Sequence, residues 1–211
     1  METWKELISE DVRERFELYN FNNAVEIMLK AYPQEYLEIL ASLEQINIKV
    51  EDITASGGNE SNIPKKFSEF LRPLGWEEVK ITGDLLVKLH RRTPSSVEEI
   101  IIKDYIDGHN IDYVKGKVAV DMEWNSKDQT FDRDLYAFRA FYECGIIDCA
   151  AIITRSAELN PLFAELGIKQ KYGASTTWMG KLLPRIQARR HGGCPIFVAG
   201  ITPRTITDWE K

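Results

Sequence analysis

Apolar positions from Trp4 to Leu43 recur at helical spacing, with Val25, Met28 and Leu29 and then Leu37, Leu40 and Leu43 falling on one face. Pro33 marks a break where a second helix starts. Ile46 to Val50 alternates like a short strand. A loop containing Gly57 and Gly58 then leads into a helix capped by Asn62, with Pro64 in its first turn and its end at Leu74 before Gly75. Trp76 to Ile81 and Leu85 to Leu89 read as strands joined by a turn at Gly83-Asp84. Ser95 and Ser96 with Glu98 and Glu99 form overlapping capping boxes, which predict a helix through Ile102 and on to Ile106, stopped by Asp107-Gly108.

The stretch Ile111 to Trp124, IDYVKGKVAVDMEW, reads as a β-hairpin turning at Lys115-Gly116-Lys117. Phe131, Leu135, Phe138 and Phe141 make a helical stripe that ends at Gly145, and Ile147 to Thr154 is an apolar run of strand length. Strand, helix and strand in this order predict a right-handed crossover. A short helix over 158–166, a helix from Thr176 to Arg190 with a kink at Pro184, a buried strand over Cys194 to Ile201 and a polar tail complete the chain. The expected class is α/β: a central mixed sheet flanked by helices, in a single domain over 1–211. Within it, 1–45 is a helical layer for packing or subunit contact and 46–203 is the core.

Composition narrows this picture little. At 211 residues, 44% hydrophobic and 28% charged, the chain suits one sizeable globular core. It has no long apolar run and no signal-like start, so a soluble, cytoplasmic protein without membrane contact is expected. Cys144, Cys149 and Cys194 have no CxxC spacing, which fits core thiols in a reducing compartment, and His90, His109 and His191 make no zinc motif. Any metal would therefore be bound by oxygen.

Charge is more informative. The net charge is −6, yet from Arg155 to Gly193 the basic residues Arg155, Lys169, Lys171, Lys181, Arg185, Arg189 and Arg190 face only Glu158 and Glu165. Such polarity suits a polyanion on one face, although a solvated helix surface would look the same.

Chemistry concentrates in the hairpin. A strand's period of two sends Ala119, Asp121 and Glu123 to one face and Val118, Val120 and Met122 to the other. At about 3.3 Å per residue, Asp121 and Glu123 have Cα atoms roughly 7 Å apart, close enough to reach one divalent cation, and Asp112 can join them across the turn. Neighbouring carboxylates repel, and a cation removes that penalty; magnesium, completed by phosphate oxygens, suits the donor set. The alternative is that both acids lie on a solvated strand face.

Asp112 followed by Asp121-Met122-Glu123 resembles the active-site hairpin of the PD-(D/E)-x-K nuclease superfamily, in particular the BglII/BstYI group of type II restriction endonucleases. The segment ending in Leu74-Gly75-Trp76, the apolar strand through Ile153, the region of Trp178, Gly180 and Leu182 and the closing strand Pro195 to Ile201 extend the likeness over roughly residues 50–203. Two departures stand out: Asp121 where the group has Glu, and Glu123 where the superfamily commonly has Lys and the group Gln. BamHI-type enzymes have Glu at the latter position.

The resemblance implies a restriction endonuclease-like sandwich and a Mg2+-dependent homodimer that cuts both strands of double-stranded DNA at a short palindrome. Asp112 and Asp121 would hold the metal with the Met122 carbonyl, and Glu123 would bind metal or take the proton of the attacking water. Glu69, on its own a solvated helix residue, matches a position that can supply a further acid near the metal. The loop after the active strand, Asn125-Ser126-Lys127, is placed to face bases. Ser175-Thr176-Thr177 would do so from a helix start, or would simply cap that helix. Lys181, Arg185, Arg189 and Arg190 would contact phosphates. A less specific repair or recombination nuclease of the same superfamily, or a DNA-binding or interaction module with a degenerate site, are the competing readings.

Overall fold

The computed structural model describes residues 3–55 and 61–209; Gly57 and Gly58 lie outside them. In chain order the elements are α1 (Glu10–Arg15), β1 (Phe16–Phe21), α2 (Ala24–Ala31), α3 (Pro33–Gln45), α4 (Val50–Thr54), α5 (Asn62–Leu71), β2 (Glu77–Arg92) and β3 (Ser95–Lys115). Then follow β4 (Val118–Glu123), α6 (Thr130–Glu143), β5 (Cys149–Arg155), α7 (Leu159–Glu165), α8 (Met179–Gln187) and β6 (Ile196–Ile201). The strands form one mixed sheet in the order β1-β6-β5-β4-β3-β2. β4, β5 and β6 run parallel, and β1, β3 and β2 pair antiparallel to their neighbours.

Each face of the sheet carries its own core. On one, Val118, Val120 and Met122 of β4 pack with Val25, Met28, Leu43, Phe67 and Trp76 from the N-terminal helices and their surroundings. On the other, Ala119 packs with Phe131, Leu135 and Phe138 of α6 and with Met179 and Leu182 of α8. All six residues of β4, β5's seven and β6's six are buried, as expected of strands covered on both sides. The predicted sandwich is the one observed, with α6 linking the parallel strands β4 and β5.

Several local expectations are overturned. The N-terminal helical layer is interrupted by β1, whose alternation buries Phe16 and Leu18 on one face while Tyr19 and Phe21 pack on the other, and which pairs with β6 from Phe16↔Ile201 to Phe21↔Ile196. Ile46 to Val50 is not a strand: Ile48 makes a single bridge to Ile206, and α4 begins at Val50. That bridge, with the Asp208 carboxylate accepting from the Val50 amide, packs the expected polar tail onto the body. Thr176 does not start a helix; α8 begins at Met179, with Pro184 inside it.

The helix expected from Ser95 to Ile106 is part of β3. Its β-branched residues Val97, Ile100, Ile101 and Ile102 prefer extended backbone, and cross-strand pairs Leu86↔Ile101 and Val87↔Ile100 satisfy them. Glu99 and Glu98 bind Lys88 and Arg91 of the facing strand rather than capping a helix. Gly83-Asp84 likewise lies within β2, where a register irregularity is held by the Asp84 carboxylate, which accepts from the Asp104 amide and the Lys103 ammonium. β2 and β3 thus form a long two-stranded arm turning at Thr93-Pro94, with Leu86, Val97, Ile100, Ile101 and Tyr105 exposed along it.

Candidate active site

The site lies where the arm joins the body. Pairing of β3 with β4 runs from Lys115↔Val118 to Tyr113↔Val120 and then stops. Between β2 and β3 the register steps from Glu77↔Val114 to Val79↔Ile111, so three residues of β3 are spanned by two of β2. This bulge re-aims Asp112. Beyond it, side chains replace the main-chain ladder: Asp121 Oδ1 accepts from the Asp112 amide at 2.8 Å, and Asp112 Oδ2 accepts from the Met122 amide at 3.2 Å. The two acids hold each other's strand in place.

Period-two alternation sends Asp121 and Glu123 to the α6 side with Ala119, as the spacing predicts, but neither is on a solvated face. Asp121 is 3% exposed and Glu123 8%. Asp121 Oδ2 and Glu123 Oε2 are buried without hydrogen-bond partners, a costly state for a carboxylate. Burial, followed by the Asp112 charge, pushes the Asp121 carboxyl well above the usual range. Burial likewise raises Glu123 to about 7, against a hydrogen bond from Ser126 and the attraction of Arg133.

These acids adjoin a cleft of about 460 Å³ lined by Asp112, Met122, Glu123, Asn125 and Ser126, with Asn62, Ser68, Arg72, Tyr113, Lys171 and Tyr172 across from them. The donor set is all oxygen, and two donors are already dehydrated and unsatisfied, which fits a hard divalent cation. Among the described residues no three acidic, histidine or cysteine side chains converge as a ready-made cage. Magnesium does not demand one, since it is commonly bound through one or two carboxylates, water and substrate phosphate.

Glu69 does not join this set. It is exposed and lines a different groove with Lys49 and Lys66, because one residue along a helix turns a side chain by about 100°. Its neighbour Ser68 faces the cleft and shares a 2.7 Å hydrogen bond with the Tyr113 hydroxyl.

The two expected DNA-reading segments lie side by side. Lys127 and Thr176 form an antiparallel bridge, the Asp128 amide donates to the Ser175 carbonyl at 2.9 Å, and the Thr177 amide donates to the Ser126 carbonyl at 2.8 Å. Ser126, Lys127 and Ser175 are exposed, whereas Thr177 is fully buried and cannot touch a base as it stands. The Thr176 hydroxyl accepts from Arg155, a buried guanidinium lying over the rings of Phe163 and Tyr172. Asn125 donates to the Lys171 carbonyl at 3.2 Å and keeps a buried Oδ1 without a partner.

The basic stripe is less free than its sequence implies. Lys181 and Arg185 reach Asp128, and Arg185 and Arg190 reach Asp132, so two acids, just before and within the first turn of α6, pair with three of the four basic side chains. Arg189 is exposed.

Sequence reasoning passed over Asp134 of α6. It is 7% exposed, its Oδ2 has no partner, and burial and then the charge of Asp121 raise it well above the usual carboxylate range. The signal was present: Asp134 falls three residues after Phe131 and four before Phe138, an acid inside an apolar helical stripe.

A mixed α/β sandwich with paired acids locked across a bulged hairpin beside an open cleft defines a phosphodiester-cleaving class of protein. The family model for restriction endonuclease BglII/BglIII matches residues 16–201, and the chain belongs to that family. It is a type II restriction endonuclease of the PD-(D/E)-x-K superfamily. No curated protein matches the sequence. Among the described residues no helix is long and apolar enough to cross a membrane.

Proposed function

We propose that this restriction endonuclease works in the cytoplasm as a Mg2+-dependent homodimer, each subunit cutting one strand of a short palindromic site in double-stranded DNA. The observation that carries the reading is the reciprocal lock between Asp112 and Asp121, which holds buried carboxylate oxygens unsatisfied at the edge of an open cleft. Asp112, Asp121 and the Met122 carbonyl would hold the cation. When bound, such a cation polarises a phosphoryl oxygen and makes an attacking water more acidic.

Glu123 accepts the proton of that water. In the metal-free protein burial holds its carboxyl up to about 7, and a cation beside it would favour the carboxylate, the form a general base requires. Ser126 orients it through the hydrogen bond that favours the carboxylate. Arg72 and Lys171 line the same cleft and would meet the DNA backbone, with Asn125, Ser126 and Lys127 beside the bases. The exposed apolar arm supports subunit pairing, since patches of this kind mark interaction surfaces and two-fold symmetry matches a palindrome.

Plasmid digestion with purified protein and Mg2+ tests the reading. Discrete fragments are expected, with cleavage abolished in Asp121→Ala and Glu123→Ala. A smear would point to the less specific repair or recombination nuclease, and unaltered cutting by either variant would remove these residues from the site.

A further inference from the structure

Arg155, the last residue of β5, is a guanidinium sealed inside the body: it is 1% exposed, and among the described residues no carboxylate forms an ion pair with it. Its Nε has no hydrogen-bond partner. Burial pulls its pKa down to about 10, so it stays charged at neutral pH. A buried charge without a counter-ion is costly, and an apolar side chain of similar length would serve packing better. The guanidinium lies 5.6 Å from the ring centre of Phe163 and 5.4 Å from that of Tyr172, two rings stacked on each other at 4.1 Å. Cation–π attraction to them returns only part of the cost.

What the guanidinium holds is one short turn. A terminal nitrogen donates to the Thr176 hydroxyl at 2.5 Å and to the Tyr172 carbonyl at 3.5 Å. The Thr176 hydroxyl donates in turn to the Gly173 carbonyl at 2.7 Å, and the Thr176 amide donates to the same carbonyl at 3.1 Å. Tyr172 is fixed as well, its hydroxyl donating to the Ile53 carbonyl at 2.8 Å and accepting from the Trp124 indole at 3.3 Å. The turn is thereby pinned to the end of a core strand. Thr176 is also the residue that bridges Lys127, and Ser175 is exposed beside it. We infer that Arg155 is a positioning residue for sequence recognition: by fixing the Thr176 side chain it sets how the strand carrying Ser175 lies against Asn125-Ser126-Lys127. This rests on the nuclease reading, with these two segments as its base-reading surface, and names what holds that surface in place. Arg155 does not itself line the cleft, so it acts through Thr176.

The test compares cleavage by the full-length protein of duplexes carrying the site sequenced from wild-type fragments and of duplexes with one base pair of it replaced. Arg155→Met, similar in length and without donors, should unfold in urea no earlier than wild type, because a buried charge has gone. Its preference for the true site should nevertheless fall roughly tenfold, with the loss on that site appearing in KM more than in kcat. Arg155→Lys, which keeps one donor for the Thr176 hydroxyl, should recover part of the preference. Thr176→Val should reproduce the loss, and adding Arg155→Met to it should lower the preference no further. An unchanged preference in Arg155→Met, or equal losses on true and substituted sites, overturns the inference while discrete wild-type fragments keep the nuclease reading intact. Additive losses in the double variant overturn it too. If Arg155→Met does not fold, Thr176→Val decides, and an unchanged preference there overturns the inference. Wild type that yields no discrete fragments overturns the nuclease reading and this inference with it.

Discussion

Glu123 should make the metal-free protein less stable as the pH rises. Its carboxyl titrates at an ordinary 4.5 in the unfolded chain and at about 7 in the folded one, with burial the main cause. Between those values the folded protein keeps a proton that the unfolded chain has released. Stability is therefore highest below the unfolded value and falls until the folded one is passed. At about 1.36 kcal/mol per pH unit, the window costs about 3 kcal/mol from this residue, or roughly 6–12 °C in melting temperature for a chain of this size. Asp121 and Asp134 are raised for the same reason and act in the same direction. Urea unfolding in chelator, followed by tryptophan fluorescence between pH 4.5 and 8, measures the slope. Glu123→Gln should match wild type at the acid end and exceed it by about 3 kcal/mol at pH 8. Parallel curves for the two proteins across that range would refute the reasoning.

Other outcomes follow from particular contacts. Lys115 donates to both oxygens of Glu38 at 2.7 and 2.8 Å and to the Leu74 carbonyl, while Glu38 also accepts from Trp76. Lys115→Ala strands that half-hidden acid and should cost roughly 3 kcal/mol in urea unfolding while sparing cleavage at low temperature. A Cβ at Gly108 would stand 2.1 Å from the Ile81 carbonyl oxygen, so Gly108→Ala should cost about 1–3 kcal/mol and slow cleavage by shifting the strand that carries Asp112. Lys127 is exposed on the proposed reading ribbon, so Lys127→Ala should relax discrimination at one base pair by about 1–3 kcal/mol, seen as cutting of singly substituted sites.

The legible parts of the sequence were those where local pattern and tertiary context agree. The apolar runs of β5 and β6, the α6 stripe and the alternation in β4 state their burial directly. Asp112 could be read because it stands next to a turn signal, yet the bulge that aims it could not, since it depends on β2, more than thirty residues upstream. The Ser95 to Ile106 segment misled because its capping boxes are genuine local signals, outweighed by β-branched residues finding partners across a strand. Glu69 lies outside the cleft by helical phase alone, one residue from Ser68, which does face it. Asp134 was hidden because a helix and a strand had to be laid together before its burial near Asp121 could be seen.

The bridge between Lys127 and Thr176, with the amide contacts on either side of it, bears on how this enzyme could acquire a new target. The two segments proposed to read bases belong to one small ribbon assembled from two distant parts of the chain. Energies of touching positions do not add. Altered specificity should therefore require coordinated replacements in 125–128 and 175–177. Libraries that vary only one strand of the ribbon should mostly return inactive proteins instead of enzymes with a changed preference.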